Sequence, residues 1–184
     1  MKHKIERADG EKGDKRVINM YVADDGNFLS PFSAAGYHVI SGETAEFLDH
    51  NYKRHLTDND LRLIIASDVI DDGERIVYTN AIRNYYQTEF KETKRELHKN
   101  FIQSVVMTIV AAIVFAIAIT LGTTTQTSDV ILNMLDVFAW VFMWEAVDLF
   151  FLQRPVLKKK QRKNTEFINA EILFTSGSDN SVSD

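Results

Sequence analysis

The sequence predicts an α+β membrane protein: a two-helix transmembrane hairpin with a small cytoplasmic α+β domain. Two apolar segments, 101–121 and 130–152, carry the first half of that reading. Each is about 20 residues long, which as a helix at ~1.5 Å per residue matches a ~30 Å hydrocarbon core. A short polar loop, 122–129, joins them and turns the chain back. The second half rests on residues 16–78, where strand-like alternation and helical periodicity follow one another. Charged residues make up 26% of the chain but lie almost wholly outside the two segments, so the average conceals them.

The elements follow in order. Residues 1–15 are charged and aperiodic and read as a disordered tail. Arg16–Val22 alternates and is rich in β-branched residues, a strand stopped by the turn signal Asp24–Asp25–Gly26. Gly42 and Glu43–His55 form a helix with Ala45, Phe47, Leu48 and Tyr52 on its apolar side. Leu61–Ala66 is a short apolar strand. A strand, a crossover helix and a second strand favour a parallel, right-handed unit. From Thr79 to Leu121 neither Gly nor Pro interrupts a helical pattern that includes Ile82, Tyr86, Thr93 and Leu97. One helix of ~40 residues and ~60 Å is expected, with 79–100 leading into the membrane. Its Ile82–Phe90 end is expected to cover the small domain. After the second apolar segment, 153–175 holds a basic stretch and a third strand, Phe167–Phe174, that joins the cytoplasmic domain. Residues 176–184 read as a second disordered tail.

Charge sets the expected orientation. Arg83, Lys91, Lys94, Arg95 and Lys99 precede the first segment, and Arg154 and Lys158–Lys163 follow the second. The connecting loop holds no Lys or Arg. The positive-inside rule therefore places both termini in the cytoplasm. The first apolar run starts too late for a cleaved signal peptide. Lys158, Lys159, Lys160, Arg162 and Lys163 read as an anchor to anionic lipid headgroups, not as a nucleic-acid patch. Residues 16–80 carry five basic and eleven acidic side chains, a negative field that suits solubility or a basic protein partner.

Several pieces, in order and spacing, resemble a family of small bacterial proteins with two membrane helices and no assigned activity. They are Ser30–Pro31–Phe32, the strand Leu61–Ala66, Ala81–Ile82–Arg83–Asn84–Tyr85–Tyr86, and Trp140–Val141–Phe142–Met143–Trp144. The resemblance covers roughly residues 17–174. It implies the bacterial inner membrane and supplies no catalytic residue. Asp148 fits the family pattern. Glu145 and Ala146 depart from it, standing where the family often has a basic residue and a proline. Ser30–Pro31–Phe32 itself reads as a turn whose Phe32 docks in the core or against the long helix.

The intramembrane polar residues are the candidate site. At 100° per residue, Asn133, Asp136, Trp140, Trp144 and Asp148 share one arc of the second membrane helix, and Glu145 lies just beyond it. Ionisable groups at such depth are costly and mark functional or association sites. Asp148, near the cytoplasmic end, is within reach of Arg154 or Lys158. For Glu145 an interhelical hydrogen bond and a cation or proton path both stand as readings. On the first helix Ser104, Thr108, Ala112, Ala116 and Thr120 stand four apart. Small residues at that spacing let helix backbones approach, and their hydroxyls can bond across.

The chain has no cysteine, which excludes disulfides, thiolate metal sites and cysteine nucleophiles. No nucleophile–base pair, metal-ligand spacing or phosphate-binding loop appears, so neither an enzyme nor a cofactor is expected. The expected role is a non-enzymatic homo-oligomer, a scaffold or regulatory membrane component. The alternative is an oligomeric cation or proton channel lined by the second helix.

Overall fold

The computed structural model describes residues 16–54, 61–124 and 128–176. The expected tail 1–15 and nearly all of 176–184 lie outside them. The chain is α+β and divides into two compact units. One comprises the residues up to Gln87 together with those from Thr165 onward; the other is Thr88–Asn164. Two of its helices are long and apolar enough to cross a membrane.

The first unit is built on a three-stranded parallel sheet. Its strands are β1 (Arg16–Tyr21), β2 (Leu61–Ala66) and β3 (Glu171–Thr175), in the order β1-β2-β3. The pairing sets Ile18 beside Leu63 and Leu63 beside Ile172, then Met20 beside Ile65 and Ile65 beside Phe174. Alternation puts these six side chains on one face, as the period of two requires. Leu63 and Ile65, on the central strand, are fully buried. The third strand begins later than the sequence suggests. Phe167 is not in it but ends the preceding helix, where it is a fully buried core residue.

Helix α1 (Gly42–Arg54) starts at Ser41, whose hydroxyl accepts the Thr44 amide at 3.3 Å. Ala45 and Leu48 are buried and Tyr52 is half-buried, but Phe47 faces out. Residues 45, 48 and 52 repeat at three and four and so share a face; Phe47 sits about 200° round from Ala45. Phe32 also departs from expectation. Ser30–Ser33 is indeed a turn, with the Phe32 amide bonded to the Ser30 hydroxyl at 3.3 Å, yet Phe32 itself is 94% exposed. Phe28 takes the core position instead, stacked on Tyr78 with ring centroids 4.6 Å apart.

Helix α2 (Asp72–Thr124) begins a full two turns before the expected Thr79. Asp71 and Glu74 form a reciprocal cap: the Glu74 amide donates to Asp71 Oδ1 at 2.7 Å, and the Asp71 amide to Glu74 Oε2 at 2.9 Å. Ile82 and Tyr86 are buried in the sheet unit's core, as the helical stripe requires. Tyr86 stacks flat on Phe167 at 4.1 Å and donates to Asp49 at 3.1 Å. Glu166, beside Phe167, accepts from both Arg16 and Tyr52 at 3.0 Å, and Arg16 lies 4.6 Å above the Tyr52 ring. Burial and the Glu166 carboxylate outweigh Arg16 and hold the Tyr52 hydroxyl above its ordinary pKa.

The second apolar segment is helix α3 (Asp129–Val147), followed without a break by a π-helical turn (Asp148–Gln153) and helix α4 (Arg154–Ile168). The wider turn has a local cause in Pro155. It has no N–H for the carbonyl four residues back, and its ring crowds that carbonyl. An extra residue in the preceding turn relieves the crowding.

Tyr78 generates a pH prediction. Its hydroxyl donates to Asp25 Oδ2 at 2.8 Å. Burial first, then that carboxylate, raise its pKa well above the ordinary value of 10.0. The folded state therefore holds the proton longer than the unfolded state. This contribution to stability is complete below about pH 10 and is lost as pH rises through the folded pKa. Tyr78→Phe should cost about 1 kcal/mol at neutral pH and flatten the alkaline decline. Pulse proteolysis of the detergent-solubilised chain in urea, at pH 8 and pH 11, measures both effects.

Candidate functional site

In the Thr88–Asn164 unit, α2 and α3 meet along residues spaced by seven. On α2 the buried positions are Ser104, Ala111 and Ala118; on α3 they are Ala139 and Ala146. Half-buried Met107, Val114, Leu132, Leu135 and Phe142 fill the intervening places. A seven-residue repeat keeps one seam between two helices that wind gently about each other. Small side chains at it allow backbone approach, and Ser104 Oγ donates to the Ala146 carbonyl at 3.0 Å. Gly122 marks the same approach near the loop, where an added Cβ would meet the Leu132 side chain at 3.6 Å.

The predicted four-residue ladder lies elsewhere within one chain. Only Ser104 belongs to the seam; Thr108, Ala112, Ala116 and Thr120 are exposed. The hydroxyls of Thr108 and Thr120 bond back to the carbonyls of Ser104 and Ala116 on their own helix, at 2.9 and 2.7 Å. Helix α2 satisfies those two groups itself, which is the common fate of Thr inside a helix.

With α3's small face turned inward, its polar–aromatic face is turned away from α2. Asn133, Asp136, Trp140 and Trp144 are all exposed, the two indoles at 64% and 65%. Glu145 is half-buried and lines a shallow groove with Val137, Trp140, Val141 and Trp144. Among the described residues no hydrogen bond or ion pair engages the Asp136 or Glu145 carboxylate.

Asp148, the first residue of the π-helical turn, is half-buried. Its expected partners were Arg154 or Lys158; instead Gln153 Nε2 donates to Asp148 Oδ2 at 2.7 Å. Asn100 on α2 donates to Gln153 Oε1 at 3.1 Å and extends the chain of bonds across the helix pair. Arg154 lies over the rings of Phe150 and Phe101, at 5.0 and 5.7 Å.

The basic cluster is divided too. Lys160 Nζ is paired with Glu89 at 3.0 Å. That hydrogen bond, reinforced by Glu96 and Glu92, holds the ammonium above its ordinary pKa. Lys160 therefore stitches α4 to α2. Lys158, Lys159 and Arg162 are exposed, and Lys163 is half-buried. Among the described residues no group of three His, Asp or Glu side chains is placed to hold a metal ion.

No protein-family model, curated protein or solved structure matches this chain.

The seam and the exposed ladder make separable predictions. Ala146→Leu forces bulk into a contact where Ser104 meets backbone, at a cost of about 1–3 kcal/mol. It should loosen the hairpin itself, read as faster hydrogen exchange in α3. Ala112→Leu combined with Ala116→Leu, both exposed and outside the seam, should leave that exchange unchanged.

Proposed function

We propose that this chain is a two-pass protein of a bacterial cytoplasmic membrane, with both termini in the cytoplasm, that self-associates through the outward face of α3. Its role in this reading is that of a non-enzymatic scaffold or regulatory component whose α+β unit engages a cytoplasmic protein. One observation carries the proposal: Asn133, Asp136, Trp140 and Trp144 stand exposed on a helix whose opposite face is already used. In a bilayer a carboxyl directed at acyl chains is unfavourable. Packing against the same face of another copy removes it from lipid and gives it hydrogen-bond partners. The distribution of Lys and Arg supports the orientation. The resemblance to small two-helix bacterial membrane proteins supports the compartment.

A channel is the second reading, and Asp136 favours it. It is exposed, its carboxylate engages no partner among the described residues, and it lies in a mostly apolar helix. Copies arranged with this face around water would present a ring of carboxylates, a known means of selecting cations. Planar-bilayer recording of the purified protein separates the two. The scaffold reading predicts an electrically silent wild type at all voltages and pH values, and an Asp136→Asn, Glu145→Gln variant that still assembles. A cation conductance abolished in that double variant would establish the channel and displace the scaffold.

A further inference from the structure

An apolar groove of about 390 Å³ runs along the α2–α3 pair. Phe101, Val105 and Ile109 line it from α2; Met143, Val147 and Phe151 line it from the other side. Ser104 and Thr108 also border it, but their hydroxyls are already committed to the carbonyls of Ala146 and Ser104. The groove thus offers little to a polar ligand. From Phe101 to Ile109 it extends about 12 Å along the helix axis. At the Phe101 end stands Arg154, its guanidinium 5.7 Å above the Phe101 ring and 5.0 Å above Phe150. Among the described residues it has no carboxylate partner. Lys158, exposed and one helical turn further on, adds a second positive charge beyond it.

We propose that this groove is a binding site for one anionic phospholipid, with an acyl chain along Val105, Ile109 and Met143 and the phosphate on Arg154. The charge at the groove's mouth selects the occupant. A neutral apolar helix would bury Arg154 against nothing that compensates it, whereas a phosphodiester supplies oxygens that a guanidinium grips with two parallel hydrogen bonds. Cation–π contact with Phe101 and Phe150 holds the guanidinium near the groove before the lipid arrives, so less ordering is required on binding. The inference rests on the membrane reading above. It is separate from the exposed Lys159 and Arg162, whose attraction to headgroups needs no groove.

Native mass spectrometry of the full chain in mild detergent tests it. Phosphatidylglycerol and phosphatidylcholine with identical acyl chains are added in equal amounts. The wild type should retain phosphatidylglycerol in preference. Arg154→Gln should lower that preference about five-fold, the equivalent of the ~1 kcal/mol that one basic residue contributes at an anionic surface. Arg154→Lys keeps the charge and should keep most of the preference. Ile109→Trp, at an exposed position in the groove, should lower occupancy by both lipids without altering helix content. An unchanged preference in Arg154→Gln, or unchanged occupancy in Ile109→Trp, overturns the site. A change in copy number in Ile109→Trp with lipid retained also overturns it, because a second copy would then fill the groove. A wild type that stays soluble and monodisperse without detergent overturns the membrane reading. A membrane-embedded wild type with no headgroup preference overturns the lipid site alone.

Discussion

The close contact between α2 and α3 constrains everything else in the helical unit. Ser104, Ala111 and Ala118 on one side and Ala139 and Ala146 on the other are small enough for the backbones to approach, and Ser104 binds the Ala146 carbonyl directly. In the membrane setting proposed above there is no hydrophobic driving force between apolar helices, so packing and a few hydrogen bonds must suffice. Fixing this seam also fixes the rotation of α3. Once Ala139 and Ala146 face inward, Trp140 and Trp144 are turned outward, and Asp136 stands at the exposed flank of the same helix. The outward polar face is therefore a geometric consequence of the small inward one.

Within the sheet unit the corresponding constraint is the junction around Phe167. The end of α4 is held by the Tyr86–Phe167 stack and by Glu166, which bonds Arg16 of β1 and Tyr52 of α1. Just beyond it β3 adds to the sheet beside β2, parallel to it. A strand that follows both apolar segments in sequence thus completes a sheet begun before them. Such non-local pairing carries a loop-closure cost that buried Leu63 and Ile65, with half-buried Ile172 and Phe174 packed against the core, must outweigh.

What the sequence revealed is uneven, for physical reasons. Strand and helix identities were legible because alternation in Arg16–Val22 and helical spacing at Ile82 and Tyr86 are strong, local signals. The start of α2 was missed: Asp71–Asp72–Gly73–Glu74 has the spacing of a reciprocal cap, but the Asp–Asp–Gly triplet reads first as a turn, and the helical pattern reads as beginning only at Thr79. The place where α3 widens has a sequence signal in Pro155. The choice of packing face is different in kind. α2 contains small residues both four apart, at Thr108, Ala112 and Ala116, and seven apart, at Ser104, Ala111 and Ala118. Only the shape of the opposing helix decides between them. Likewise Phe32 is apolar enough for a core, and nothing local says that Phe28 occupies that place instead, whereas Phe47 is ruled out by its own helical offset from Ala45 and Leu48.

The central claim is that copies of this chain meet through the Asp136–Trp144 face of α3 while the α2–α3 seam remains internal. The chain has no cysteine, so single cysteines report contacts without background. Oxidative cross-linking in native membranes should give covalent dimers from Val137→Cys and Trp140→Cys, and none from Ala111→Cys or Ala118→Cys. Dimers from Ala111→Cys or Ala118→Cys, with none from Val137→Cys or Trp140→Cys, would contradict the account.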